Sequence, residues 1–195
     1  NLPGQLEVLK ILHHETGGRI AGIVAWAPSD AAETLPEVLS GAGWMLQAGP
    51  DRCCANWQAG PGEGVAVLAD PNLHGPIVPL VRNAFPEILD VCTVVLGQAG
   101  TAVEQAVGLG KPAVTFAGAG MQVTPRFLAA QARLLRGAVA LSDPAPDAVA
   151  REVLAILRDP ERYQTMAETG RRLMGLPGAT NAIARRIVER FALEV

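Results

Sequence analysis

The chain is poor in the residues that most often carry hard chemistry: three cysteines, three histidines and a single tyrosine among 195 residues. Cys53 and Cys54 are adjacent, and neither a Cys-x-x-Cys nor a His-x-x-x-His spacing occurs. A disulfide framework and a zinc site are therefore not expected, and all three cysteines read as free thiols. There is no Asp-x-Asp pair to hold a divalent cation. No apolar run approaches the roughly 18 residues of a membrane span, and the start NLPGQLEVLK lacks the apolar centre of a signal peptide, so the expected compartment is the cytoplasm. Sixteen Lys and Arg stand against 19 Asp and Glu, a net charge of -3. That balance offers no basic face to neutralise several phosphates, and nucleic acid is not an expected partner.

What is present is 49% hydrophobic and 18% charged, ordinary for one well-buried domain of this length. The organising stretch lies between Thr93 and Gln131. Val94, Val95 and Leu96 form a short apolar run of the kind buried on both faces of a parallel sheet, and Gly97 to Gly100 let the backbone turn sharply. From Thr101 the apolar positions Val103, Val107 and Leu109 follow helical spacing, with Gly108, Gly110 and Pro112 as the stop. A strand at 113–116, a glycine-rich turn and a second helix follow. In that order, the first turn of the helix at Thr101 points unpaired N–H groups and the positive end of its dipole out of the carboxyl edge of the sheet, where open α/β sheets bind anions. A diphosphate fits that position.

The run GQAGTAVEQAVGLGKPAVTFAGAGMQVTPRF, followed by AAQARLL, resembles the carboxyl-terminal half of GT-B glycosyltransferases, most closely the lipid-A-disaccharide synthase-related proteins. The resemblance is dense over about forty residues and holds in element order over most of the rest. It rests on the Gly-Thr-Ala-x-Glu-Gln helix at 100–105, the Gly-Leu-Gly-Lys-Pro stop at 108–112 and the Gly-x-Gly-x-Gln loop at 118–122. It implies a Rossmann-like, mostly parallel sheet flanked by helices with a helical carboxyl-terminal tail, the chain being one nucleotide-sugar-binding domain. It further implies that Gly100, Thr101 and Ala102 hold the diphosphate of a UDP-sugar, Glu104 the ribose hydroxyls and Gln122 the donor sugar, while backbone groups of Val81 and Arg82 read the uracil. Met121 and Val123 stand where the family leads one to expect proline and an aromatic residue. An amino-terminal acceptor domain, which would carry the catalytic base, is expected to precede Asn1, so no catalytic residue is assigned here. The implied reaction is inverting transfer of an acylated aminosugar to a saccharolipid acceptor, with no metal or other cofactor required and with peripheral contact to the inner membrane face.

Elsewhere the chain alternates strand and helix signals, which indicates an α/β class with a largely parallel sheet. Leu6, Val8, Leu9 and Leu12 have helical spacing, ended by Gly17 and Gly18. Neighbouring His13 and His14 diverge by about 100° on a helix and so do not converge on one metal. Strands are expected at 19–27, 44–48, within 64–70, at 76–81 and at 138–141, and helices at 31–39, 83–90, 145–157, 160–173 and 179–193. Asp30 with Glu33 reads as a helix cap, and His74 as a solvated turn residue. Arg171, Arg172, Arg185, Arg186 and Arg190 are interspersed with Glu168, Glu189 and Glu194, which favours a solvated helix face over a membrane-facing one.

Two residues carry competing readings. Thr101-Ala-Val-Glu104 has the form of a capping box, in which Thr101 would precede the helix and the Glu104 side chain fold back onto the Thr101 N–H. The ribose reading instead turns Glu104 outward, and the resemblance favours it. Arg126 stands in the first turn of the helix capped by Thr124-Pro125; a cation at that positive end calls for a nearby anion, met by a donor phosphate or by an acidic neighbour. A UDP-sugar epimerase and a non-catalytic nucleotide-sugar module also remain compatible with the motifs, although Gln122 is neither an acid nor a base.

Overall fold

The computed structural model describes residues 1–26, 35–48, 66–69, 75–98, 100–175 and 178–191. Helix α1 (Leu2–Glu15) opens the chain and buries Leu6, Val8 and Leu12. It ends where Gly17 and Gly18 adopt left-handed φ angles of 57° and 79° and the Gly18 N–H returns to the His13 carbonyl at 2.8 Å. His13 and His14 lie in the last turn of α1, where cations complement the helix dipole.

Among the described residues the strands form two sheets. The first has the order β1 (Val24–Trp26), β4 (Val78–Arg82), β3 (Ala66–Ala69), β2 (Met45–Ala48). β1 and β4 are parallel, with Ala25 opposite Val81 and Trp26 opposite Arg82. The β2–β3 and β3–β4 pairs are antiparallel. The expected α/β class with mostly parallel pairing flanked by helices is what the structure shows, the two antiparallel pairs both lying in this first sheet. The link from Ala69 to Val78 is shorter than the dozen or more residues that a parallel crossover needs, so β4 returns beside β3 in the opposite direction. β1 is also shorter than the strand expected at 19–27, since its ladder with β4 spans only Val24, Ala25 and Trp26 among the described residues. Between β1 and β2 stands α2 (Leu35–Gly41); the expected cap at Asp30 and Glu33, the first residues of that expected helix, His74, Cys53 and Cys54 lie outside the described residues.

The second sheet is parallel throughout, in the order β5 (Val95–Leu96), β6 (Ala113–Phe116), β7 (Val139–Ser142). After β4 the chain forms α3 (Phe85–Val91) before entering β5. The crossover from β5 to β6 is α4 (Gly100–Gly108), and that from β6 to β7 is α5 (Pro125–Leu134). Every residue of central β6 is buried. Its alternation sorts two cores: Val114 and Phe116 join Val8 and Leu12 of α1 with Val149, Val153 and Ile156 of α6 (Pro146–Arg158), whereas Ala113 joins Val103 and Val107 of α4 with Leu135 and Val139 on the other face.

α1 packs on both sheets, because Leu6 belongs to a third cluster with Leu35, Leu39, Trp44, Val78 and Leu80. Burying side chains of that size stabilises by about 1.5–3 kcal/mol each, so α1 holds the two sheets together. α7 (Pro160–Met174) lies across the end of α4, with Gly170 against the Val107 carbonyl. α8 (Ala179–Phe191) buries no residue and leaves Ile183, Ile187 and Phe191 exposed. No described helix is long and apolar enough to cross a membrane.

Candidate functional site

Three side chains of uncharged polar residues fix the edge at which the site lies. Gln98, just beyond β5 and 6% exposed, donates from Nε2 to the Phe116 carbonyl at the end of β6 over 2.9 Å. Its Oε1 accepts from Gln5 of α1 at 3.4 Å. Asn1 and Ala119 are joined twice, Asn1 Nδ2 donating to the Ala119 carbonyl at 2.9 Å and the Ala119 N–H to Asn1 Oδ1 at 2.8 Å. The first turn of α1 therefore sits at the carboxyl ends of β5 and β6. From the far end of α1 the chain enters β1 of the other sheet, whose parallel neighbour is β4. The carboxyl ends of β5 and β6 open on this edge, the one where α/β sheets bind ligands.

α4 starts at that edge. Its approach to β5 depends on Gly97, where a β-carbon would stand 2.5 Å from Val103 Cγ2. The helix begins at Gly100, which makes Thr101 its second residue rather than its cap, and neither Thr101 nor Glu104 makes a side-chain hydrogen bond or ion pair with a described residue. The capping-box reading is thereby overturned: a capping threonine must lie outside the helix, and the glutamate would have to fold back onto its N–H. Glu104 is half-buried, one turn into α4, with its carboxylate uncommitted among the described residues. Gly100, Thr101 and Ala102 occupy the first turn, whose N–H groups have no intrahelical acceptor.

The loop after β6 brings the next residues close. A β-carbon on Gly118 would collide with the side chains of Asn1 and Gln98, so glycine allows the loop to pass beneath α1. Gln122 lies exposed in a short 3-10 turn, Met121–Val123. Thr124 then caps α5, its hydroxyl accepting from the Phe127 N–H at 3.3 Å. Arg126 is exposed in the first turn of α5, and among the described residues no carboxylate pairs with it. α5 reaches back to α4 through Gln131, whose Nε2 donates to the Gly100 carbonyl at 3.2 Å. Gly100, Thr101, Ala102 and Glu104 thus lie in the first turns of α4, Gln122 and Arg126 lie at the start of α5, and the two helices are tied through Gln131.

Val81 and Arg82 stand apart, at the end of β4 in the other sheet. Val81 is 7% exposed, so its side chain is committed to packing, and Arg82 is exposed. No hydrogen bond between described residues ties either to α4. Asn83, immediately after, takes a left-handed φ of 53°. The Cys92 thiol is pushed up by burial, against a smaller lowering by the charge of Lys111, and so is a poor nucleophile. Lys111 serves the end of α3, donating to the Asp90 and Cys92 carbonyls at 3.0 and 2.9 Å. A cleft of about 470 Å³ between Gly137, Val139, Asp159 and Arg162 opens at the amino end of β7, the edge opposite the motifs. The motif edge is the better candidate, because α4 starts there beside the carboxyl ends of β5 and β6 and α5 is tied to that start through Gln131.

Asn1, Gln98 and Gln131 escaped the sequence reading. Gln131 had a signal: it stands between Leu128 and Leu135 on the inward stripe of α5, where an apolar residue is expected. Gln98 could be reached only through the fold, since its partners lie 18 and 93 residues away.

No protein-family model and no curated protein matches this chain.

Proposed function

We propose that the chain binds a UDP-sugar at the start of α4 and forms the donor half of an inverting glycosyltransferase related to lipid-A-disaccharide synthase, passing an acylated glucosamine to a saccharolipid acceptor. One observation carries this reading: a helix start at the carboxyl edge of a parallel sheet, with the carboxylate of Glu104, uncommitted among the described residues, one turn below it. Free N–H groups at Gly100, Thr101 and Ala102 suit the diphosphate, and the positive end of the dipole suits the charge that builds on it as the sugar departs. Glu104 suits a vicinal diol, since a carboxylate accepts from two hydroxyls at once. Arg126, a cation without an acidic partner among the described residues, stands ready to share the anionic charge. Val81 and Arg82 would read the base through their backbone, and Gln122 the sugar.

In this scheme the chain binds and orients the donor and stabilises the leaving group; the base that deprotonates the acceptor comes from a preceding acceptor-binding domain. The test has two parts. UDP titrated into the chain should bind with measurable affinity, and the chain alone should transfer no sugar. Product analysis with the acceptor domain attached should give the glycosylated saccharolipid with free UDP. A UDP-sugar of altered configuration as the product would mark an epimerase, and an unchanged donor a binding module.

A further inference from the structure

Gln131 is 5% exposed, in a stripe of α5 otherwise filled by Leu128 and Leu135. A buried amide at such a position lowers stability unless its polar atoms are met, and this one is only half met. Nε2 donates to the Gly100 carbonyl at 3.2 Å, while Oε1 is buried with no hydrogen-bond partner among the described residues. Packing alone would be better served by leucine or methionine. The use of the amide must therefore be sought in what its one bond does.

The carbonyl of Gly100 and the N–H of Thr101 belong to the same planar trans peptide, so they point in opposite directions and turn together. Holding the carbonyl against Gln131 fixes the direction in which the Thr101 N–H leaves the first turn of α4. A donor on the carbonyl oxygen also polarises the peptide and makes that N–H a stronger donor in turn. Phe127, one turn before Gln131 on α5, closes on the same residue, its Cζ 3.9 Å from where a Gly100 β-carbon would stand. α5 begins where Gln122 and Arg126 are carried, so the same bond sets the start of α4 relative to the sugar side of the site.

We propose that Gln131 is a positioning residue for the anion site: it orients and polarises the Gly100–Thr101 peptide so that the Thr101 N–H meets the diphosphate of a nucleotide sugar. The inference rests on the nucleotide reading of α4 given above.

Gln131→Met, close in shape and without polar atoms, is the variant to make, with Gln131→Leu beside it. Three quantities are measured on the whole chain: the melting temperature without ligand, the UDP affinity by calorimetry, and the Thr101 amide resonance in ¹H–¹⁵N spectra. The expected result is an unchanged or raised melting temperature, because an unmet buried acceptor is removed, together with an upfield shift of the Thr101 amide proton and UDP affinity lower by about fivefold to tenfold. Wild-type affinity in a folded variant overturns the proposal while leaving the nucleotide site intact. So does a fall in melting temperature, or a failure of both variants to fold, since either makes Gln131 a packing residue. If the unaltered chain binds no UDP, the nucleotide reading itself fails and this inference falls with it.

Discussion

Gly97 faces Val103 so closely that a β-carbon at 97 would stand 2.5 Å from Val103 Cγ2. Val103 is fully buried and packs with Val107, Ala113 and Val139, so it has no room to yield. Gly97→Ala must therefore push α4 away from β5, and overpacking of this kind costs about 1–3 kcal/mol. A fall of several degrees in melting temperature is expected, with UDP affinity reduced because the first turn of α4 is displaced. An unaltered melting temperature would mean that the close approach does not hold.

Arg126 separates ligand binding from folding. A cation in the first turn of α5 with no carboxylate partner among the described residues opposes the helix dipole by about 0.3–1 kcal/mol. Arg126→Ala should keep or slightly raise the melting temperature while weakening UDP, most visibly at low salt, where charge interactions are least screened. A loss of stability without loss of affinity would assign Arg126 to a structural contact instead.

Gln122 lies one element beyond the helix start assigned to the diphosphate. On the reading proposed above it meets the sugar and not the nucleotide. Gln122→Ala should weaken the UDP-sugar and leave UDP nearly untouched; equal losses for both ligands would misplace it. Competition calorimetry with the two ligands measures the difference directly.

Thr124 supplies a control within the same loop. Its hydroxyl caps α5 at Phe127, and Thr124→Ala should cost about 1 kcal/mol of stability through loss of that cap. Chemical denaturation reads the loss, and UDP affinity should stay within about twofold, since a change of 0.4 kcal/mol or less is of that size.

Much of the second sheet was legible because its signals are local. The strand Ala113–Phe116 and the Thr124–Pro125 start of α5 fall at the residues that the apolar run and the cap chemistry indicate. The mixed first sheet was not legible. Strand direction there depends on link length and pairing partner, and runs such as GVAVLAD look alike in either direction. The start of α4 failed by one residue for a related reason: Thr101 and Glu104 carry capping-box chemistry, yet the helix already includes Gly100, and tertiary packing by Phe127 and Gln131 stands at that first residue. The polar ties at Asn1, Gln98 and Gln131 were the least visible, since each joins segments that only the fold brings together.

The most direct test of the nucleotide site is UDP calorimetry on Glu104→Ala alongside Thr101→Ala, with melting temperatures for both. A ribose ligand predicts that Glu104→Ala loses affinity by an amount equivalent to about 1.5–3 kcal/mol, the worth of hydrogen bonds to a charged acceptor, with little change in melting. Thr101→Ala should keep UDP binding near that of the unaltered chain, because on the proposed reading the backbone N–H and not the hydroxyl meets the diphosphate. The account is contradicted if UDP binds Glu104→Ala as it binds the unaltered chain, or if both variants lose about 1 kcal/mol of stability with affinity kept, which is the signature of a cap.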